Sequence, residues 1–252
     1  MKICKFFTVG CCRVGIYAVQ VRSMSDTESF RFKITGSKPN PLGVGGVRCR
    51  GCQGIFATTG LVGFSGPMAA TELWEPSPYT EEHFWGMLTD PDYSKEMLNN
   101  ALQHTKCIRP GREEGPLIGG NLSVLASMVG TPYMPDLDGA ILFLEDVNEP
   151  AYRIDRMLSH LANAGLLKGC KGMLLGDFSG KTAATQQEET RLEGIFAYYS
   201  RAMLTGGPVM RGLSYGHIHE LMTIPIGQTF SFEVAPDGSF SLQASAPVVQ
   251  LS

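Results

Sequence analysis

The run Ile141-Leu142-Phe143-Leu144-Glu145-Asp146 constrains the fold more than any other stretch of the chain. Four successive apolar residues read as a buried strand. Two carboxylates follow at once, and a charge is costly to bury unless it is paired or hydrogen-bonded. Placing Glu145 and Asp146 where the strand leaves its sheet limits that cost. It also puts them at the edge where open α/β sheets keep their ligand sites. The next segment is helical, because between Tyr152 and Ala164 the residues Ile154, Met157, Leu158 and Leu161 recur at helical spacing among Arg153, Asp155, Arg156 and His160. Gly165 stops it. A second apolar run, Gly172-Met173-Leu174-Leu175-Gly176-Asp177-Phe178, again closes near an acid. Strand, helix, strand makes this an α/β chain.

The flanking segments extend the pattern. Gly115-Pro116-Leu117-Ile118-Gly119-Gly120-Asn121-Leu122 reads as a strand entering a glycine turn, followed by a helix from Ser123 to Met128 that Thr131-Pro132-Tyr133 breaks. Gly119 and Gly120 allow close approach of the backbone, either to a ligand or to another chain segment. A helix is expected from Glu188 to Met203, then a strand from Pro208 to Leu213 that reaches Tyr215-Gly216-His217-Ile218-His219. Alternation over 230–234 and 240–242 around Pro236-Asp237-Gly238 marks a hairpin. Upstream, Ile55–Thr59 ends a helix at Gly60, and Leu61–Phe64 is a short strand. Glu81–Leu88 and Ser94–Thr105 read as two surface helices, with Trp74 and Trp85 as packing residues. Residues 1–52 carry no consistent pattern. Gly43, Gly45 and Gly46 match no nucleotide fingerprint and read as a flexible linker.

Composition excludes several classes of function. A net charge of -3 without a Lys/Arg cluster gives no footprint for nucleic acid. No apolar run is long enough to span a bilayer, so no membrane is expected and the cytoplasm is the expected compartment. Seven scattered cysteines suggest neither a disulfide framework nor a zinc site, and Cys49 with Cys52 forms a lone CxxC read as two free thiols.

Three polar features stand where apolar strands end: Asn121 after two glycines, Glu145 with Asp146, and His217 with His219. A carboxylate that orients a histidine, which in turn activates a hydroxyl, is serine-hydrolase logic. His-x-His on a strand would put both rings on one face, where the acids could complete a metal site. Spacing alone leaves three readings open: structural histidines, a hydrolase pair, and a metal site.

Five segments, in order, narrow the choice: Gly115-Pro-Leu-Ile-Gly-Gly-Asn-Leu, Gly130-Thr-Pro-Tyr, Ile141-Leu-Phe-Leu-Glu-Asp, Tyr152-Arg-Ile-Asp-Arg-Met-Leu, and Gly216-His217 with Pro225-Ile226-Gly227. Together with Thr59-Gly-Leu-Val-Gly-Phe-Ser-Gly-Pro-Met68, they resemble the LD-carboxypeptidase family of serine peptidases, which includes muramoyl-tetrapeptide carboxypeptidases and microcin C self-immunity proteins. The match runs over roughly residues 53–232. It implies a flavodoxin-like α/β first domain, of which residues 53–109 would be the last portion, and a mixed α+β second domain at 110–252. Residues 1–52 stand outside it, as a damaged or truncated reading frame would leave them. The resemblance implies a Ser-Glu-His triad without metal or cofactor, with Glu145 as the orienting acid and His217, not His219, as the base. Gly119, Gly120 and Asn121 would lie beside the substrate, a murein tetrapeptide, and Glu145 and His217 would lie within hydrogen-bond reach. A homodimer is compatible with the family. The nucleophile is expected in a glycine-rich turn before Thr59, but Gly43-Val-Gly-Gly-Val-Arg-Cys49 holds no serine. Ser65 belongs to a different motif, and nothing beside Cys49 suggests activation. The expectation is therefore little or no turnover, with two alternatives: a non-catalytic murein-peptide-binding homologue, and an immunity-type peptidase acting on a peptidyl-nucleotide.

Overall fold

The computed structural model describes residues 53–68, 72–101, 103–178 and 186–249, and the backbone alone for residues 50–52, 7–9, 17–19 and 34–36. Its main body is a seven-stranded sheet in the order β12-β11-β6-β7-β8-β9-β5. The middle of that sheet is parallel: β6 (Gly111–Asn121), β7 (Ile141–Glu145), β8 (Gly172–Leu175) and β9 (Val209–Arg211) run side by side. Helices α3 (Leu122–Met128), α4 (Ala151–Asn163) and α5 (Gln186–Ser200) connect them in turn. β5 (Lys106–Arg109) closes one edge against β9, and the hairpin of β11 (Thr229–Val234) and β12 (Phe240–Ala244) closes the other against β6.

The unbroken Ile-Leu-Phe-Leu run has a plain cause. Leu142 and Leu144 pack under Ile154, Leu158 and Leu161 of α4 on one face. Ile141 and Phe143 pack against Phe230, Phe232, Met222 and Tyr215 on the other. All four are fully buried, as a parallel strand covered on both faces requires.

A smaller sheet, β10-β4-β1-β2-β3, joins the two halves of the chain. β4 (Gly63–Ser65) pairs antiparallel with β10 (Ile224–Ile226), and Phe64 opposes Pro225. On its other side β4 pairs with β1 (Phe7–Val9), which continues to β2 (Tyr17–Val19) and β3 (Ile34–Gly36). α1 (Arg50–Thr59) precedes β4, and α2 (Pro78–Thr89) follows it, placing Phe84, Met87 and Leu88 in the same core as Phe143 and Phe230.

Two expectations are corrected here. Residues 94–105 do not form a helix. A single 3-10 turn at Tyr93–Lys95 gives way to chain without regular structure, in which Met97 N–H bonds to Leu242 O and both the Nδ2 and the Oδ1 of Asn99 are taken by the 212–214 backbone. These tertiary bonds outweigh the local helical spacing. Trp74 is not a packing residue, being 80% exposed, whereas Trp85 is partly buried beside Phe84 with ring centroids 5.0 Å apart.

Candidate active site

The site forms at the C-terminal edge of the parallel strands. β7 ends on Glu145, whose side chain is almost wholly buried. His217 reaches it from the segment after β9, and its Nδ1 lies 2.8 Å from Glu145 Oε2. An ionised carboxylate only accepts, so Nδ1 carries the hydrogen and Nε2 is left as the acceptor. Such a pair fixes both the tautomer and the plane of the ring. The His217 side chain is 24% exposed, enough to meet a ligand. Gly216 makes the approach feasible: its φ is +136°, and an added Cβ would sit 3.1 Å from Asp177 Cβ and 3.4 Å from Glu145 Cβ.

His219 does not join this pair. Residues 212–221 form neither strand nor helix, so the strand geometry that would align the two histidines is absent, and His219 is turned towards Glu220. Among the described residues no group of three or more His, Cys, Asp or Glu side chains could hold a metal ion.

Asp146 has a separate task. Its carboxylate accepts from Asn121 Nδ2 (3.0 Å), the Ser123 N–H (2.9 Å), the Ser123 hydroxyl (2.5 Å) and the Val147 N–H (2.9 Å). Asn121 Oδ1 in turn caps α3 through the Val124 N–H. Asn121 and Asp146 thus lock the end of β6 to the end of β7, next to Glu145. The two uses left open for Gly119 are separated by the geometry. With φ +148°, its Cα faces β7, and an added Cβ would stand 1.8 Å from Phe143 O. The close approach at Gly119 is to another strand. Its carbonyl accepts from Gln53 Nε2 of α1, whose Oε1 is buried with no hydrogen-bond partner among the described residues.

Phe64, Ser65, Met68, Glu72, Leu221 and Thr223 line a cleft that also contains Glu145 and His217. Ser65 Oγ lies 2.5 Å from the Tyr215 hydroxyl within it. Gly119, Gly120 and Asn121 are all buried and are not among the cleft's lining residues. Gly43–Cys49, where the nucleophile is expected, lies outside the described residues. Sequence reasoning overlooked the anchors of the His217 segment, Ser77, Thr80 and Asn99. For Ser77 a signal existed, since Ser-Pro is a helix-start signature.

Fold and site together define an α/β protein with a histidine–carboxylate pair at the C-terminal edge of its sheet. Residues 114–232 match the LD-carboxypeptidase C-terminal domain. A putative carboxypeptidase of Streptomyces coelicolor is 33% identical over 238 residues, covering 93% of this chain and 71% of that protein. The chain belongs to the LD-carboxypeptidase family. A probable murein peptide carboxypeptidase of Bacillus subtilis is 33% identical over 183 residues, 72% of this chain and 56% of its own length. The crystal structure of a muramoyltetrapeptide carboxypeptidase from Oxalobacter formigenes superposes with a TM-score of 0.63 at 30% identity, covering 77% of this chain and 64% of that one. The chain thus spans just over half of the Bacillus protein. The Streptomyces match, at 93% of the chain, reaches into the first 52 residues.

Proposed function

We propose that this chain carries the acid–base half of an LD-carboxypeptidase site and binds murein-type peptides that end in a D-residue joined to an L-centre. The observation behind this reading is the 2.8 Å contact between His217 Nδ1 and Glu145 Oε2, in a chain of this family. In this reading Glu145 holds the imidazole in the productive tautomer. His217 Nε2 takes the proton of an attacking hydroxyl and returns it to the leaving amine. Gly119, Gly120 and Asn121, at the end of β6, act from behind, by fixing the strand ends. No metal or cofactor takes part. Residues 53–109 are read as the end of a flavodoxin-like first domain, the compartment as the cytoplasm and the assembly as a homodimer.

The region where the family's nucleophile is expected, Gly43–Cys49, has no serine, so turnover is expected to be low. A serine hydrolase without its nucleophile retains roughly 10³–10⁴-fold over water from binding and oxyanion donors. The test measures release of terminal D-alanine from murein tetrapeptide, and calorimetric binding of the same peptide, for the parent and His217→Ala. Binding with negligible turnover is the expected result and favours the peptide-binding homologue. Robust turnover lost in His217→Ala would establish a complete site, and changing Ser65 and Cys49 in turn would then find its nucleophile. Neither binding nor turnover would overturn the proposal.

A further inference from the structure

The histidine of the site sits on a segment without regular structure, and the question is what holds it still. Residues 212–221 are gripped at two places. On the near side, Asn99 Nδ2 donates to Gly212 O (2.8 Å), Asn99 Oδ1 accepts from the Ser214 N–H (2.6 Å), and the Asn100 N–H donates to Ser214 Oγ (3.0 Å). On the far side the grip comes from α2. Thr80 Oγ1 donates to His219 O at 2.6 Å and accepts from the Leu221 N–H at 2.8 Å. Ser77 Oγ lies 3.0 Å from Thr80 Oγ1 as a further donor to it, and 3.3 Å from His219 O. A hydroxyl has one proton and two lone pairs, so these contacts use the whole capacity of Thr80. The residue is fully buried.

α2 does not need this hydroxyl for itself. Its N-cap is Ser77, whose side chain accepts from the Thr80 N–H at 3.1 Å, and Pro78 fills the first turn. A β-branched residue adds nothing to helix propensity. The bonds of Thr80 Oγ1 instead go across to the segment that carries His217, fastening it two and four residues beyond the imidazole.

We propose that Thr80 is a positioning residue for His217: its hydroxyl fixes the 219–221 backbone so that the imidazole stays against Glu145. The functional meaning rests on the reading of His217 as the base, but the geometric claim does not, and its test needs no turnover. The proton in a histidine Nδ1–H···carboxylate bond is strongly deshielded and gives a far-downfield NMR signal, identifiable here by its absence in His217→Ala. Thr80→Val keeps the shape and removes the hydroxyl. The expected result is a folded protein that has lost this signal, whereas Thr80→Ser, which restores a hydroxyl, keeps it. A purely structural role would lower the urea midpoint of Thr80→Val yet leave the signal of the folded protein unchanged, and that result would overturn the proposal. If Thr80→Val does not fold, Ser77→Ala carries the test. It leaves the shape of Thr80 intact, frees its hydroxyl to rotate and removes the second contact to His219 O. Weakening of the signal supports the proposal, and an unchanged signal overturns it. A parent protein without the signal would overturn it too. Failure of the parent to bind or turn over murein tetrapeptide, with the signal intact, would count against the functional reading alone.

Discussion

Replacing Gly119 by alanine is expected to be among the most damaging single-methyl changes in the chain. The added Cβ would lie 1.8 Å from Phe143 O and 2.8 Å from Phe143 N, where ordinary contact begins near 3.4 Å. The obstacle is backbone in the middle of the β6–β7 ladder, where Gly119 opposes Phe143, so no side chain can swing aside. The strands must part by about 1.5 Å, which breaks the two flanking ladder bonds and leaves their buried groups unsatisfied, at about 3–5 kcal/mol. Forcing a Cβ at positive φ adds about 1–2 kcal/mol. The total, about 4–7 kcal/mol, is a large part of the stability of an ordinary domain. At about 3 kcal/mol per M urea, the unfolding midpoint should fall by roughly 1.3–2.3 M. Gly130→Ala is the matched control: its φ is also positive, at +81°, but an added Cβ meets nothing within 4 Å. It should cost only about 1–2 kcal/mol. Equal midpoints for the two variants, or a Gly119→Ala midpoint within about 0.3 M of the parent, would refute the reasoning.

Asp146→Asn retains the shape but cannot accept all four hydrogen bonds. A loss of about 1.5–3 kcal/mol is expected in urea unfolding at neutral pH. His83 is buried between Tyr79 and Tyr93, with Nε2 2.9 Å from Leu98 O and Nδ1 unpartnered among the described residues. Burial pushes its pKa below the ordinary imidazole value, against the opposing pull of the Leu98 carbonyl and Glu82. As pH falls below about 6.5 the unfolded chain therefore takes up a proton that the native state resists, and stability drops. His83→Gln should lose less stability than the parent between pH 7.5 and 5.5, and parallel losses would contradict this. Burial pushes the Cys170 thiol up to about 12. A thiol reagent at pH 8 should leave Cys170 untouched in the native protein and modify it in urea, as peptide mapping would report.

Elements that rest on strong local pattern were legible in the sequence. β7 came out at Ile141–Glu145, and α4 at Ala151–Asn163 within a residue of its expected bounds, because four buried residues in a row and a 3.6-residue apolar repeat each admit few arrangements. The proximity of Glu145 and His217 was also legible, through motif order and not through spacing. The 94–105 segment was not, because its conformation depends on Asn99 and Asn100 finding partners more than a hundred residues away. Nor were the anchors of the His217 segment. Thr80 is an ordinary helical residue until the fold brings His219 and Leu221 to it.

The pairing of β4 with β10 bears on how the chain is made. Phe64 leaves the ribosome with a strand edge whose partner, Pro225, is encoded about 160 residues later. At ordinary elongation rates that interval lasts roughly 10–30 s. Through it, Phe64, Phe84, Met87 and Leu88 lack Ile224, Ile226, Phe230 and Phe232, with which they later share a core. The α/β units from Gly111 to Arg211 can collapse in the order they emerge, each strand against the one before. The β4–β10 pairing cannot. The edge of β4 that faces β10 stays open until residues 224–226 are made, and a chain that stops before them leaves that edge unpaired.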